Sequence, residues 1–251
     1  MKRGAFPWWL TFALAAGVAQ ADESRLIREA LHGDMEAQFK LGLMYATGDG
    51  VSRNSAEAAK WYRMAADQGL AEAESNLGLM YITGDGVPQN YFEALKWYRL
   101  AAEQGNATAQ FNLGQMYSNG DGVPRDDAEA LKWYRKAADQ GFAPAQTNLG
   151  VMYRTGEGTA KNPAEALKWI RKAAEHGHPG AQFNLGVMYA NGEGVPKDMI
   201  EGLAWMNIAA ASGNDLYVQN RDLLERRIGI EATLTAQKRS RELLKEISGH
   251  K

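Results

Sequence analysis

The chain has 251 residues, with 28 Lys and Arg, 30 Asp and Glu, a formal net charge of −2 and no cysteine. Its hydrophobic content of 45% is normal for a globular protein, which excludes a disordered chain and a disulfide-stapled scaffold. Without cysteine there is no thiol nucleophile and no cysteine-ligated metal site, and a near-neutral chain without basic tracts lacks the electrostatic signature of a nucleic-acid-binding protein.

Residues 1–21 have the pattern of a secretory signal peptide. Lys2 and Arg3 precede an apolar run of 11 residues at 8–18, and Ala-Gln-Ala at 19–21 supplies a cleavage motif. A membrane-spanning helix needs about 20 apolar residues, so an uncleaved anchor is the weaker alternative. We therefore expect export, cleavage after residue 21, and a mature protein without a stable membrane span.

The chain then repeats one unit of 36 residues five times. The motif Leu-Gly-x-Met-Tyr begins at residues 41, 77, 113, 149 and 185, and a Gly-[Asp/Glu]-Gly motif and a tryptophan recur at the same spacing without insertion. Self-similarity at a fixed period is the signature of a repeat architecture. The units are residues 34–69, 70–105, 106–141, 142–177 and 178–213.

Each unit predicts two antiparallel helices. In the second unit Ala73, Leu77, Gly78 and Tyr81 fall on one stripe of a helix, where the glycine allows a partner helix to come close, and Gly84 ends that helix in the left-handed conformation. The second helix begins after a good N-cap residue, with a glutamate three positions later that resembles a capping box. The predicted caps are Asn54, Asn90, Asp126, Asn162 and Asp198.

Such a helix pair has one apolar face that it cannot bury alone, and stacking of identical pairs buries it continuously. The sequence therefore predicts an all-α fold, an α-solenoid of five helical hairpins with terminal capping helices. Residues 22–33 predict the N-terminal cap, and residues 214–251 predict two amphipathic capping helices, at 215–228 and 231–247.

The repeated columns resemble the Sel1-like repeat, a relative of the tetratricopeptide repeat. The resemblance rests on A-x-x-x-L-G-x-M-Y-x-x-G-[DE]-G-V-P followed by E-A-L-K-W-Y-R-x-A-A-x-x-G, as in residues 73–105. It implies a right-handed superhelical solenoid that acts as an adaptor, with another exported or membrane protein as partner. Because exported bacterial members resemble regulators and assembly factors of the envelope, it also implies the bacterial periplasm, with secretion as the alternative.

The resemblance also indicates where a partner would bind, because the first helix of each hairpin lines the concave groove of tetratricopeptide-type solenoids. The residue before each Leu-Gly is a lysine in the first unit and an asparagine in the others. An asparagine amide both donates and accepts hydrogen bonds, which suits the backbone of an extended peptide, but local hydrogen bonds are the open alternative. The candidate partner-binding residues are Lys40, Asn76, Phe111, Asn112, Gln115, Asn148, Arg154, Phe183 and Asn184.

No catalytic set, cofactor or metal site is predicted. Equivalent loop acids lie two helices apart, too far to share an ion, and a Ser-x-x-Lys pattern at residues 248–251 has no helix after it. The leading hypothesis is a non-enzymatic interaction module with no nucleic-acid partner. The alternatives are a glycan-binding or exopolysaccharide assembly factor and, less favoured, a β-lactamase-type hydrolase, a label given to a cysteine-rich branch of the family that this chain does not match.

Overall fold

The computed structural model describes residues 24–249, so the signal peptide expected at residues 1–21 lies outside the described residues. The part of the chain that the structure describes is helical, without a strand, and successive helices pack against each other within residues 35–103 and within residues 127–249. The predicted all-α fold of helical hairpins is confirmed.

The helices between residues 24 and 249 number thirteen. The described part of α1 covers residues 24–31, and the others are α2 (Met35–Thr47), α3 (Ser55–Ala66), α4 (Ala71–Thr83), α5 (Tyr91–Glu103), α6 (Ala107–Asn119), α7 (Asp127–Asp139), α8 (Ala143–Thr155), α9 (Pro163–Glu175), α10 (Pro179–Asn191), α11 (Met199–Ala210), α12 (Asp215–Ile228) and α13 (Ile230–Gly249). We call α2, α4, α6, α8 and α10 the first helices, and α3, α5, α7, α9 and α11 the second helices. The chain divides into two compact units, of which the first ends at Ala109 and the second begins at Gln110.

The two helices of a hairpin approach closely at the glycine of Leu-Gly. A Cβ added to Gly78 would lie 2.8 Å from Cδ1 of Tyr98, and a Cβ added to Gly114 would lie 2.8 Å from Cδ1 of Tyr134. Both distances are shorter than any ordinary carbon contact, so only glycine lets the aromatic ring lie against the backbone. The predicted close packing at this position is confirmed.

The predicted N-caps of the second helices are confirmed, but the capping box is only half formed. The Asp126 side chain accepts the Glu129 backbone N–H at 2.9 Å. The Glu129 side chain does not return to the cap; it accepts a hydrogen bond from Lys132 at 2.8 Å. The reason is that the backbone N–H of Asp126 already donates to the Tyr117 carbonyl of the first helix, at 2.9 Å.

The two glycines of each Gly-[Asp/Glu]-Gly loop have different tasks. The first ends the first helix, as Gly84 does with φ of +75°, which confirms the prediction. The second packs against the preceding hairpin: a Cβ on Gly86 would overlap the Ser55 carbonyl oxygen, and a Cβ on Gly158 would overlap that of Asp127. Since Ser55 and Asp127 are the first residues of α3 and α7, these two loops sit on the start of the previous second helix. We call this contact the loop junction.

A buried glutamine column holds neighbouring helices together from inside. Gln146 donates to the Ala138 carbonyl at 3.1 Å, and Gln110 accepts a hydrogen bond from Gln140 at 2.8 Å. Glu74 occupies this column in the second unit, is only 2% exposed, and accepts a hydrogen bond from Gln104 at 2.8 Å. Burial raises the pKa of Glu74 above its ordinary value, although the Gln104 hydrogen bond opposes the shift.

Helices α12 and α13 cover α11. Most of α11 is buried, including Leu203 and Trp205. Ser240 of α13 donates to the Ala204 carbonyl at 3.1 Å, and Arg239 pairs with Glu201 at 2.9 Å. The last hairpin therefore has its apolar face closed by the two C-terminal helices.

Gly86→Ala should destabilise the protein by about 2–4 kcal/mol, because a left-handed residue with a side chain is strained and the new methyl group overlaps the Ser55 carbonyl. Gly69→Ala is the matched control, since Gly69 has a similar φ of +88° but nothing within 4 Å of an added Cβ; it should cost about 1–2 kcal/mol. Urea unfolding followed by circular dichroism measures both. Equal losses would show that the loop junction contributes nothing.

Glu74→Gln should stabilise the protein at neutral pH by about 1–3 kcal/mol, because it removes a buried carboxylate and restores the amide of the column. The folded-state pKa of Glu74 is raised above the ordinary 4.5. Its stabilising contribution is therefore complete only below that ordinary pKa and is lost as the pH rises through the folded-state pKa. Unfolding free energies measured against pH should thus converge for variant and wild type near pH 4.5 and below. Gln110→Glu should introduce the same pH dependence; if it does not, the column does not behave as described.

Candidate functional site

Each first helix presents two parallel rows of residues that its buried stripe leaves partly exposed. The polar row is the residue before Leu-Gly, and the apolar row lies three positions later, on the same face of the helix. The polar row consists of Lys40, Asn76, Asn112, Asn148 and Asn184. The apolar row is the variable residue of Leu-Gly-x-Met-Tyr, namely Leu43, Leu79, Gln115, Val151 and Val187. We call the two rows, taken within each compact unit by itself, the first-helix face.

The asparagines of the polar row are held by tyrosines of the preceding second helix. Asn76 is hydrogen-bonded to the Tyr62 hydroxyl, and Asn148 to that of Tyr134. Burial raises the pKa of Tyr62 to about 12, and the hydrogen bond from Asn76 opposes this rise. An asparagine amide has two N–H donors and one carbonyl acceptor, so one bond to a tyrosine leaves Asn76 and Asn148 with further hydrogen-bonding capacity. Both residues remain half-buried, as does Asn112, whereas Lys40 is exposed.

Asn184, in the polar row, makes different hydrogen bonds because the tyrosine of the preceding second helix is absent. Ile170 stands in the tyrosine position of the fourth unit, and Asn184 instead donates to the Gly180 carbonyl at 2.8 Å. The Oδ1 atom of Asn184 accepts a hydrogen bond from Arg154 at 3.4 Å, so two of the predicted residues are brought together. Arg154 also pairs with Glu193 at 3.6 Å, and its Nε is buried without a partner.

Helix α12 continues the first-helix face, which the sequence pattern did not reveal. It starts 36 residues after α10, in the register of a sixth first helix. Asn220 donates to the Leu216 carbonyl at 2.8 Å, the same bond that Asn184 makes to Gly180. The only advance signal was this register, because Arg221 and Asp222 stand where Leu-Gly stands in the other units.

The apolar row is the part of the face that sequence reasoning missed, apart from Gln115. Leu43 is 38% exposed, Leu79 is 50% exposed, and Leu223 of α12 is 60% exposed. Val151 and Val187 are half-buried, and Gln115 is exposed. The signal that could have found the row is an apolar residue recurring at the one variable position of an otherwise invariant motif.

Two predicted residues are committed to packing. Phe111 lies 5.7 Å from the ring of Tyr134 and 5.4 Å from that of Phe142. Phe183 stacks on Tyr217 of α12, with ring centroids 4.6 Å apart. Both phenylalanines are half-buried, so the structure places them beneath the first-helix face as supports for it.

A cleft of about 250 Å³ opens on this face between α10 and α12. Its walls are the apolar side chains of Val187, Ala190 and Leu223, and its polar edge is formed by Asn220 and Arg227. The cleft combines apolar surface with a few polar groups, which is the usual character of a recognition site.

The second helices carry a different surface. Lys132 pairs with Glu129 at 2.8 Å, and Lys136 lies 3.9 Å from the ring centroid of Trp133. Exposed pairs of this kind contribute only about 0.2–1 kcal/mol and form a solvated surface. Within residues 24–249, no group of three or more His, Asp or Glu side chains could hold a metal ion. No helix in that same range is both long and apolar enough to cross a membrane.

The hydrogen bond between Asn148 and Tyr134 should be measurable as a coupling in a double-mutant cycle. Asn148→Ala and Tyr134→Phe should each destabilise the protein, with a coupling of about 0.5–1.5 kcal/mol in urea unfolding. Asn184→Ala combined with Tyr134→Phe is the control and should show no coupling, because Asn184 bonds to Gly180 and Arg154. A coupling energy of zero between Asn148→Ala and Tyr134→Phe would show that the hydrogen bond between these two side chains does not stabilise the protein.

Comparison with known proteins agrees with this architecture. The Sel1 repeat model matches residues 36–70, 71–106, 107–142, 143–178 and 179–214. The solved structure of c5321, a protective antigen of uropathogenic Escherichia coli, is 36% identical with a TM-score of 0.76 over 90% of this chain, which spans only 48% of that protein. A Sel1 repeat protein from Oxalobacter formigenes is 37% identical, with a TM-score of 0.75 over 85% of this chain and 84% of that one.

A more distant likeness shows the fold alone. Immunity protein Pa5087 from Pseudomonas aeruginosa is 21% identical, with a TM-score of 0.51 over 86% of this chain and 81% of that one. No curated protein matches the chain. The helical hairpins, their loop junctions and a family model that matches five consecutive units from residue 36 to residue 214 together establish that the chain belongs to the Sel1 repeat family.

Proposed function

We propose that this protein is a non-enzymatic adaptor that binds another exported or membrane protein on its first-helix face. The proposal rests on one observation: the polar row and the apolar row lie next to each other on the first helices. Amide groups are therefore beside exposed aliphatic side chains. Leu79, which is 50% exposed, lies one helical turn from half-buried Asn76. Large aliphatic side chains exposed in a regular row are typical of a surface that another protein covers.

The chemistry of the face favours an extended segment of the partner. Asn76 is hydrogen-bonded to Tyr62, and the remaining donor and acceptor capacity of its amide can meet backbone groups of the partner. The adjacent aliphatic row can take side chains from the same segment, since an extended chain exposes backbone and side chains along its whole length. The net charge of −2 supports a protein partner over a nucleic acid.

The cell envelope is the proposed location, with the periplasm preferred and secretion as the alternative. The support is the signal-peptide pattern of residues 1–21. A partner of an exported adaptor is itself exported or exposes a segment outside the cytoplasmic membrane. Regulation of envelope signalling or of assembly is the role that such an adaptor would serve.

Photo-crosslinking in the producing cell, from positions 43 and 79, tests the proposal when the captured protein is identified by mass spectrometry. We expect one exported protein from both positions, because both lie in the apolar row of the first compact unit. Leu43→Glu should reduce its capture from position 79 at least about tenfold, because a buried carboxylate opposes the interface. Leu100→Glu is the matched control, since Leu100 is 38% exposed like Leu43 but belongs to the second helix α5.

Three results would contradict the proposal in different ways. Equal loss of capture with Leu43→Glu and Leu100→Glu would remove the first-helix face as the site. Loss of capture on adding oligosaccharide, and not on adding peptide, would favour the glycan-binding alternative. Sustained hydrolysis of nitrocefin that one point mutation abolishes would show an enzyme.

A further inference from the structure

Helix α10 is held at its start by a histidine. The backbone at His178 is extended, with φ of −73° and ψ of 116°, and its side chain accepts the backbone N–H of Ala181. The Nδ1 atom of His178 lies 3.2 Å from that backbone nitrogen. An accepting side chain at this position satisfies one of the N–H groups that have no partner within the helix. His178 is therefore the N-cap of α10.

Other first helices carry different residues at the same position. Asn106 accepts the N–H three residues later at 2.9 Å, and Asp34 does so at 2.8 Å. Leu70 and Phe142 make no side-chain cap bond at all. Of these side chains, only an imidazole ordinarily changes its charge between about pH 5 and 8. The start of α10 thus depends on a cap that can be switched by a proton.

The Nδ1 atom of His178 meets a second polar group. It lies 2.9 Å from Oγ1 of Thr147, a residue of α8 that is only 6% exposed. The Thr147 hydroxyl also lies 2.9 Å from the Ala143 carbonyl oxygen, to which it can donate its single hydrogen. In the preceding unit the corresponding residues are Phe111 and Phe142, whose rings are 5.4 Å apart. A polar pair therefore replaces an aromatic pair between α8 and the start of α10.

The ring nitrogen cannot serve Ala181 and Thr147 alike in both protonation states. A backbone N–H only donates, so Nδ1 can hold Ala181 only while it carries no proton. In the imidazolium both ring nitrogens carry a proton, and Nδ1 can then donate to Thr147, whose hydroxyl donates to Ala143. The Ala181 N–H loses its acceptor, and a positive charge at a helix N-terminus is unfavourable. One proton therefore decides whether α10 is capped.

We propose that His178 is a proton-controlled cap: its neutral ring holds the first turn of α10, and acidification transfers the ring to Thr147 and releases that turn. Burial of the ring lowers the pKa of His178 below the ordinary 6.5, which favours the neutral, capping form in the folded protein. The contribution of His178 to stability is therefore complete above pH 6.5. It is lost as the pH falls from there through the folded-state pKa.

The elements around this cap offer few other groups that could titrate. The start of α8 at residues 143–147 and the end of α11 at residues 207–211 have no ionisable side chain, and neither do the first two turns of α10. A Cβ added to Gly180 would lie 3.4 Å from the Tyr217 hydroxyl, so release of this turn would also reach the contact with α12. The ionisable groups at the end of α9 and the start of α12 are Lys172, Glu175, His176, Asp215 and Tyr217.

Nuclear magnetic resonance of the ¹⁵N-labelled protein, with its native N-terminus, tests the proposal from about pH 7.5 to about pH 5. We expect the neutral ring of His178 to carry its proton on Nε2, because Nδ1 accepts the Ala181 N–H. The Ala181 amide resonance should shift with the same midpoint as the ring, below 6.5. A neutral ring protonated on Nδ1, or an Ala181 amide that does not follow the ring, overturns the proposal.

His178→Asn keeps a cap that does not titrate, as Asn106 shows for α6. In urea unfolding, the ratio of the wild-type to the variant unfolding constant should rise at least about threefold between pH 7.5 and 5, because only the wild type loses its cap. His176→Asn is the matched control, since His176 is exposed in the adjoining turn, and should keep the wild-type pH dependence. Equal pH dependence for His178→Asn and the wild type overturns the proposal.

Thr147→Val tests the transfer of the ring separately. The variant removes the acceptor of the protonated Nδ1 but leaves the cap bond of the neutral ring, so the titration midpoint of His178 should fall further. An unchanged or raised midpoint would contradict transfer to Thr147. Circular dichroism at pH 7.5 separates these results from loss of the fold, because every variant should retain the helical spectrum of the wild type there.

Discussion

The structure depends on the close approach of two helix backbones at one glycine per hairpin. Where Gly78 meets Tyr98, the aromatic ring lies against bare backbone, and the hairpin becomes too thin to contain a core of its own. The residues that fill it are small, and the leucine of each Leu-Gly is completely buried. A hairpin of this thickness can bury its apolar surface only against its neighbours, which is why the unit occurs in series and why stability does not require disulfides. The buried leucines are Leu41, Leu77, Leu113, Leu149 and Leu185.

The fold could be predicted from the sequence because the same constraints occur five times at one spacing. A glycine ends a helix, and an aspartate or asparagine begins one, through interactions with residues close in the sequence. The sequence pattern was therefore sufficient to locate the helix ends. The returning glutamate of the capping box failed for a non-local reason: the N–H of Asp126 is taken by Tyr117 of another helix. The role of α12 was hidden as well, because Arg221 and Asp222 replace the motif that marks the other first helices.

The side-chain contacts of the candidate site could not be predicted from the sequence. The pattern placed Asn76 and Asn148 on first helices, but it could not show that tyrosines of neighbouring helices are hydrogen-bonded to their amides. Phe111 and Phe183 were predicted as groove residues because each precedes an asparagine of the polar row, and the structure shows that they also pack against the rings of Phe142 and Tyr217. These hydrogen bonds and ring contacts depend on how neighbouring helices pack. The periodicity of the sequence does not contain that information.

The structure separates positions that maintain the hairpins from positions that face outward. A change at Leu77 or Gly78 alters the packing of two helices, whereas a change at Leu79 alters mainly a solvent-facing surface. The two sets alternate along the same first helix, so one short segment contributes to both. Recognition can therefore diverge between relatives while the helical framework is retained.

Near-identical rows also have a consequence for alignment of a bound segment. If every step of the two rows offered the same side chains, an extended partner could shift by one unit with little change in free energy, and several alignments would be populated together. Residues that differ between the units make these alignments unequal in free energy. In the first compact unit Lys40 is the charged member of the polar row; in the second, Gln115 is the polar member of the apolar row and Arg154 crosses to Asn184. If a partner binds as proposed, each of these residues would favour one alignment over the others.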